Sequence, residues 1–452
     1  MTQAESTRWL IIPVEVQARE WLGRLLVGAV AASRGYRVLI GHDRVVRRLA
    51  QHLPKGVLFD KSLGMRGDRK VAMYHRLGYT LTALDEEMTG IYPNPDYFFG
   101  IRLASDTLAK AQRWFTISKI AHDMAVERYP GNETKFTVTG LPRTDIWRPA
   151  FHQVFENERR EIAQRHGRFI LFCSNFGRIL HARRDDLVAK QSRVQESKWQ
   201  GAAAYQDNLE KQLHANLAAY IEMLPKLREW FPGHRLVIRP HPSEDRGFWR
   251  ETFANVDGVF VEDEGIATPW ILASDVLVHH GCTTGIEAEL MDKPQVMYAP
   301  HPDDHHDTEL MSDLSTIVKT EPELREVLTR VIDGSERLRS DIASREKWFA
   351  AASGKLASQR IIDEFEGLAS QTRSDLPAYL GALRFAPRHL WARYGPRSAK
   401  ATAYSRQKWS GQSLESARRQ LATLQEGADI RAPLELREVF PQLFEIKGAP
   451  NG

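Results

Sequence analysis

Short apolar runs alternate with segments of helical spacing along most of this chain, and polar residues gather at the carboxyl end of nearly every run. WLIIPV (Trp9–Val14) leads into REWLGRLLVGAVAASRG, which is apolar at helical spacing and closes on Gly35. YRVLIG, GVLFD, YTLTAL, RWFTIS and KFTVTG follow, with helical patterns between them. A second series begins with RFILFCSNFG and continues through HRLVIRPHPSE, GVFVED, SDVLVHHG and PQVMYAP. Strands alternating with helices require crossover connections, and right-handed crossovers build a parallel sheet covered on both faces. The pattern predicts an α/β protein with two doubly wound domains.

The boundaries follow from composition shifts. Residues 1–150 form an N-terminal Rossmann-like domain and 151–320 a C-terminal one. Residues 321–452 form a helical C-terminal region with a basic tail. The linker is LPRTDIWRPAFHQ, which carries Pro142 and Pro149. Arg178–Asp207 reads as a long polar insertion, and LEKQLHANLAAYIEMLPKLREWF as an amphipathic helix. Two such domains place a ligand in the cleft between them.

Bulk properties exclude several classes. Of 452 residues, 42% are hydrophobic and 27% charged, which is ordinary for a globular chain. A net charge of +4 at this length does not describe a general nucleic-acid binder. The 2 cysteines, Cys173 and Cys282, support neither a disulfide framework nor a zinc knuckle. MTQAESTRWLIIPVEV lacks the pattern of a signal peptide, and no run reaches the roughly 18 apolar residues of a spanning helix. A cytoplasmic protein is expected.

Ligands of open parallel sheets lie beyond the carboxyl ends of the strands. Glu15, His42, Lys61, Ser62, Asp85, Glu86, Glu87, Ser174, Asn175, Gly177, His241, Pro242 and the run His279–Thr284 hold those positions. In GCTTGIEAEL, Gly281 allows close backbone approach, and Thr283 or Thr284 can cap the helix that follows. A helix N-terminus offers free N–H groups and partial positive charge to a phosphate; plain capping is the competing role. Glu287, one turn in, suits ribose hydroxyls or the helix dipole. In RPHPSE, Arg239 ends a strong apolar run and two prolines fix the backbone around His241. A rigidly placed imidazole suits a phosphate oxygen, although a turn histidine has the same spelling.

RPHPSE followed by SDVLVHHGCTTGIEAELMDKPQVMY resembles the C-terminal domains of GT-B glycosyltransferases that build bacterial surface polysaccharides. The His-Pro motif and the later Thr pair are similar to those of bacterial sialyltransferases and capsule β-Kdo transferases, which use CMP-activated sugars. The opening WLIIPVEVQAREWLGRLLVGAVAASRGYRVLIG, with LPKGVLFDKS, resembles surface carbohydrate biosynthesis proteins. The resemblance covers roughly residues 9–320. It implies a GT-B-like fold and a CMP-sugar donor, Kdo-like or nonulosonic. It also implies a glycan or lipid-linked glycan acceptor, and transfer with inversion. His241 would contact the donor phosphate, and Thr283 and Thr284 would bind it from the helix; Arg239, Pro242 and Gly281 are expected with them among the substrate- or nucleotide-binding residues. Ser174 and Asn175 would lie near the nucleotide. Two other activities share the expected fold: a non-hydrolysing nucleotide-sugar epimerase and a CDP-alditol polyol-phosphate transferase.

An inverting transferase needs a base for the acceptor hydroxyl. YTLTALDEEMTG supplies acids at a strand end, and clustered carboxylates raise one another's proton affinity; a solvated acidic loop is the plainer role. Asp85, Glu86 and Glu87 resemble the acidic pair of the CMP-sugar transferases, but Met88 stands where that motif has glycine. The favoured base is Glu86, then Asp85. No metal or cofactor is implied; HPDDHHD (His301–Asp307) reads as a polar loop. Lys61 suits the carboxylate of a nonulosonic sugar or a plain surface position, and Arg143 a nucleotide or a structural pair with Asp145. Arg384–Lys408 is basic and interleaved with aromatics, which suits an anionic membrane surface or a helical cap; nucleic acid is disfavoured.

Overall fold

The computed structural model describes residues 7–64, 68–181, 202–301, 308–368 and 408–449. Most of the polar run Arg178–Asp207, residues 302–307 of the His-Asp run, and the basic stretch except Lys408 lie outside the described residues. The chain divides into two units. The first contains Met1–Met88, Arg102–Val154 and Phe349–Gly452, the second Thr89–Ile101 and Phe155–Trp348. The stretch 321–452, read from sequence as one helical region, is therefore divided between them.

In the first unit, β1 (Arg8–Val14), β2 (Tyr36–His42), β3 (Val57–Asp60), β4 (Thr80–Leu84), β5 (Arg113–Thr116) and β6 (Phe136–Val138) pair in parallel. The strands are apolar on both faces because helices cover both, as a parallel sheet requires. Leu10, Ile11, Ile12, Val38, Leu39 and Ile40 are fully buried. The helix Gln17–Ser33 buries Leu25, Leu26, Val27 and Val30. Asp145 accepts hydrogen bonds from the Ala357 and Ser358 amides, 2.8 Å each, and from Ser358 Oγ at 2.7 Å. Those are orphan donors at the start of the helix Ala357–Leu368. Arg143 lies over the Trp147 ring at 5.1 Å.

The second unit's sheet is parallel throughout. It contains β7 (Phe169–Cys173), β8 (Arg235–Arg239), β9 (Val259–Val261), β10 (Val276–His279), β11 (Gln295–Tyr298) and β12 (Thr316–Val318), in the order β12-β11-β10-β7-β8-β9. The helix Ala202–Trp230 packs Leu213, Tyr220, Met223 and Leu224 into the core beside Phe172, Ile238 and Trp249.

The chain ends in a hairpin not anticipated from sequence. β13 (Leu434–Phe440) and β14 (Leu443–Gly448) are antiparallel, and β14 pairs antiparallel with β2. This extends the first sheet to eight strands, in the order β13-β14-β2-β1-β3-β4-β5-β6. The join depends on Gly41: a Cβ there would lie 2.3 Å from the Gln442 carbonyl oxygen and 2.8 Å from Leu443 Cα. Both are backbone atoms, so the hairpin would have to shift. Gly41→Ala should therefore speed amide hydrogen exchange across 434–448 while leaving β4–β6 protected. Unchanged exchange in the hairpin would show that the contact does not hold it.

Candidate functional site

Each sheet has one point where the strand order reverses, and polar groups collect there. In the second unit β8 lies on one side of β7 and β10 on the other, so the reversal falls between β7 and β10. That is where open α/β sheets bind ligands. The loops after β7, β8 and β10 carry Ser174 and Asn175, His241 and Pro242, and Gly281, Thr283 and Thr284.

The β7 and β8 loops are locked together by Glu244, a residue that sequence reasoning left without a role. Its buried carboxylate accepts from Ser174 Oγ at 2.7 Å and 2.8 Å, from the Phe176 amide at 2.7 Å and from Trp249 Nε1 at 2.7 Å. Burial pushes the Glu244 carboxyl up, and these donors pull it back. The loops are also in close contact: a Cβ on Gly177 would lie 2.3 Å from Ser243 Oγ and 3.0 Å from His241 Nδ1. The only sequence signal for Glu244 was its place in RPHPSE; its partner Ser174 is 70 residues away.

His241 and Pro242 are exposed. His241 Nδ1 accepts from the Ser243 amide at 3.2 Å and lies 2.8 Å from Ser243 Oγ. With Nδ1 accepting, the neutral ring carries its proton on Nε2, which makes Nε2 a donor. After β10, Gly281 has φ +54°, in the left-handed region that glycine tolerates. The helix Thr283–Leu290 has Cys282 as N-cap, with no side-chain capping bond. The two threonines therefore occupy the first two helical positions and do not cap. Thr283 is exposed and Thr284 half-buried against Cys282 Sγ. Phe176 stacks on His280 at 5.1 Å, joining the β7 and β10 loops.

Three candidates have partners that sequence did not show. Glu287 is buried and accepts from Thr268 Oγ1. Arg239 donates to the Glu264 and Gly265 carbonyls, 3.0 Å each, and lies 4.8 Å over the Trp270 ring. Its guanidinium therefore braces the loop after β9. Ser174 is buried against Glu244, and Asn175 beside it is half-buried.

In the first unit the reversal falls between β1 and β3. Glu15 follows β1 and Lys61 follows β3, and they pair at 2.7 Å; Lys408 adds a second cation on Glu15 at 2.5 Å. Burial alone would raise the Glu15 carboxyl, but the two lysines hold it down to about 2.

The acids after β4 are set in place by arginines. Asp85 is buried and held by Arg102, with Nε at 2.8 Å and 3.0 Å and Nη2 at 2.8 Å. Glu87 pairs with Arg19 and keeps 46% of its side chain exposed. Burial works against the Glu87 charge, but Arg19 and Arg102 prevail and its carboxyl stays low. Glu86 is buried with Oε1 3.4 Å from Arg24 Nη2, and its Oε2 has no hydrogen-bond partner among the described residues. Burial raises the Glu86 carboxyl, only partly offset by Arg24.

No family model and no curated protein sequence matches the chain. Among solved structures, the UDP-GlcNAc 2-epimerase from Methanocaldococcus jannaschii is similar with TM-score 0.50 and 10% identity, over 80% of this chain and 100% of that one. The UDP-GlcNAc 2-epimerase from Neisseria meningitidis bound to UDP-GlcNAc gives 0.47 at 11% identity, over 80% and 100%. The wall teichoic acid polymerase TagF gives 0.47 at 10%, over 81% and 90%. At such identities the likeness is one of fold: the chain is GT-B-like, with two Rossmann-type domains.

Two outcomes follow from these contacts. Glu244→Ala strands the indole N–H of Trp249 and the Ser174 hydroxyl in the interior. Losing charged hydrogen bonds of this kind costs about 1.5–3 kcal/mol each. Urea denaturation followed by Trp fluorescence should show the loss, and a variant as stable as the parent would refute the brace. A carboxyl held at about 2 stabilises the fold above the ordinary Glu range and loses that contribution as pH falls toward 2. The Tm advantage of the parent over Glu15→Gln should therefore be full at pH 6 and vanish near pH 2.

Proposed function

We propose that this chain is a glycosyltransferase of bacterial surface polysaccharide synthesis, moving a Kdo-like or nonulosonic sugar from a CMP-activated donor to a glycan acceptor with inversion. The observation that carries the reading is the reversal point of the second sheet. A proline-flanked imidazole that can donate from Nε2 stands after β8, and a helix N-terminus free of a side-chain cap stands after β10. Both suit a nucleotide phosphate, the helix through its amide groups and dipole and His241 through a single N–H. In this reading Thr283 and Thr284 add hydroxyl donors, and Ser174 and Asn175 border the nucleotide. The choice of CMP rests on the likeness of RPHPSE and the Thr pair to CMP-sugar transferases.

Glu86 is the proposed base. Its Oε1 faces Arg24, but among the described residues its Oε2 lacks a partner, in a buried setting that raises proton affinity, and that oxygen can take up a proton. Asp85 has its carboxylate held by Arg102, and Glu87 is kept ionised by Arg19. Lys61 is committed to Glu15, so pairing with a donor carboxylate would require breaking that contact. Among the described residues no helix is long and apolar enough to cross a membrane. The basic stretch before Trp409 is proposed to meet an anionic membrane face where lipid-linked acceptors reside.

A second reading, nucleotide-sugar epimerisation, is favoured by the fold likeness that covers the whole length of an epimerase chain. A thermal-shift panel of CMP, CDP, UDP and GDP separates the two, because a ligand that binds only the native state raises Tm. CMP stabilisation with CMP release on turnover supports transfer; UDP stabilisation with UDP-sugar isomerisation supports the epimerase. His241→Ala should weaken nucleotide binding about 10-fold or more, from the loss of roughly 1.5–3 kcal/mol. Unchanged affinity by calorimetry removes His241 from the site. Glu86→Gln should lower kcat about 10²–10⁴-fold with little change in donor affinity. The acidic limb of the parent's pH–rate profile should lie above the ordinary Glu range, because burial raises this carboxyl. Turnover at the parent rate in Glu86→Gln would place the base elsewhere.

A further inference from the structure

The reversal point of the first sheet opens into a pocket of about 410 Å3. It lies over the ends of β1 and β2 and beside the start of the helix Arg69–Arg76, and its size falls within the roughly 300–1,000 Å3 of small-molecule sites. Every described lining residue is charged or a histidine. Such walls suit a ligand that carries charge and hydroxyls, and give an apolar ligand nothing to pack against.

The balance of charge favours an anion. Among the described residues Arg44, Arg47, Arg69, Lys70 and Lys408 line the pocket against Glu15, Asp43 and Asp68, five cations to three acids. Two of the acids are already engaged. Glu15 holds Lys61 and Lys408, and Asp68 caps the helix Arg69–Arg76 by accepting from the Lys70 and Val71 amides. Lys70 is paired below the pocket with Asp60 at 2.7 Å. Arg69 is exposed and makes no ion pair among the described residues. Arg47 reaches Asp43 only at 3.9 Å, with 45% of its side chain exposed. Cationic charge therefore stands at the rim.

Asp43 supplies the second feature. Its Oδ1 is buried yet has no hydrogen-bond partner among the described residues. A buried carboxylate oxygen without a donor is costly, and a ligand hydroxyl would satisfy it. Burial pushes the Asp43 carboxyl up, while Lys70 pulls it down.

We infer that this pocket binds a small anionic, hydroxylated molecule, a sugar or polyol bearing a phosphate or a carboxylate. The rim arginines take the anionic group, and Asp43 takes a hydroxyl. If the chain is the glycosyltransferase proposed above, this ligand is the acceptor's terminal residue, and the acceptor is acidic.

The test is calorimetric titration of the full chain with four probes: glucose 6-phosphate, glucuronate, glucose and inorganic phosphate. Glucose 6-phosphate or glucuronate should bind at least 10-fold tighter than glucose, and whichever is tighter tells phosphate from carboxylate. The better acid sugar should also bind tighter than inorganic phosphate, because phosphate offers Asp43 no sugar hydroxyl. Arg44→Glu/Arg69→Glu changes two exposed side chains and should cut that affinity at least 10-fold; Arg69→Ala gives a milder loss if the double variant fails to fold. Higher salt should weaken binding, since rim charges are screened. The inference falls if neither acid sugar binds, if glucose or phosphate binds as well as the better acid sugar, or if the arginine variants bind like the parent. The nucleotide panel is read separately. Nucleotides without effect beside a binding pocket would sink only the transferase reading, whereas nucleotide stabilisation without acid-sugar binding would sink only the pocket.

Discussion

A buried guanidinium needs partners, and the first unit gathers a carbonyl, a ring and a carboxylate around Arg24, while its Nε has no hydrogen-bond partner among the described residues. The side chain is 1% exposed. It donates to the Phe59 carbonyl at 2.8 Å, lies 4.6 Å over the Phe59 ring and faces Glu86 at 3.4 Å. One residue of the helix Gln17–Ser33 thus fixes the end of β3 and the turn after β4. Glu20, one turn earlier, accepts from the Glu15 and Val16 amides at 2.9 Å and 3.2 Å and so caps its own helix. Arg19 and Arg102 hold the flanking acids. Removing one partner of such a set leaves an uncompensated buried charge, typically a loss of about 3–5 kcal/mol. The acids after β4 are therefore not a solvated loop. Three arginines from two helices dictate where each carboxylate sits.

Both sheets offer the same opportunity at different points of their strand order. In the second unit the reversal lies between β7 and β10, and in the first between β1 and β3. The chemistry gathered at each is different. The second presents backbone amides, hydroxyls and one imidazole, which are neutral donors suited to a diphosphate-like or monophosphate oxygen. The first presents long flexible cations and carboxylates, which suit a ligand of variable shape held by its charge. A parallel sheet supplies the place; the loop residues decide the ligand.

The alternation of apolar runs and helical spacing made the parallel sheets legible, because doubly covered strands are apolar throughout and cannot be confused with half-exposed ones. Positions after the strands were legible for the same reason: Glu15, Lys61, His241 and Thr283 all follow the strand ends expected of them. What those side chains touch was not. Lys61 reads as a free cation in sequence and is paired with Glu15, which follows a different strand. Arg239 reads as a nucleotide-binding residue and holds the carbonyls of Glu264 and Gly265. Thr283 reads as a cap, yet Cys282 has the N-cap backbone. Glu244 was overlooked because its partners come from another strand's loop. The hairpin β13–β14 was missed because its place is set by the free edge of β2, which no local pattern in LELREVF encodes.

The first unit is assembled from three separate lengths of chain, and this has a consequence for synthesis. As the polypeptide leaves the ribosome, all of β1–β6 is present early, but the helix Ala357–Leu368 that Asp145 anchors comes more than 200 residues after it. β14, which covers the edge of β2, ends only at Gly448. Until then β2 presents an unpaired row of amides and carbonyls, the kind of edge that recruits other strands. The second unit's main length, Phe155–Trp348, is complete about a hundred residues sooner. The later-made domain can therefore close first, while the earlier-made one waits for its final strand. A chain lacking residues 434–448 would keep that edge open for its whole life.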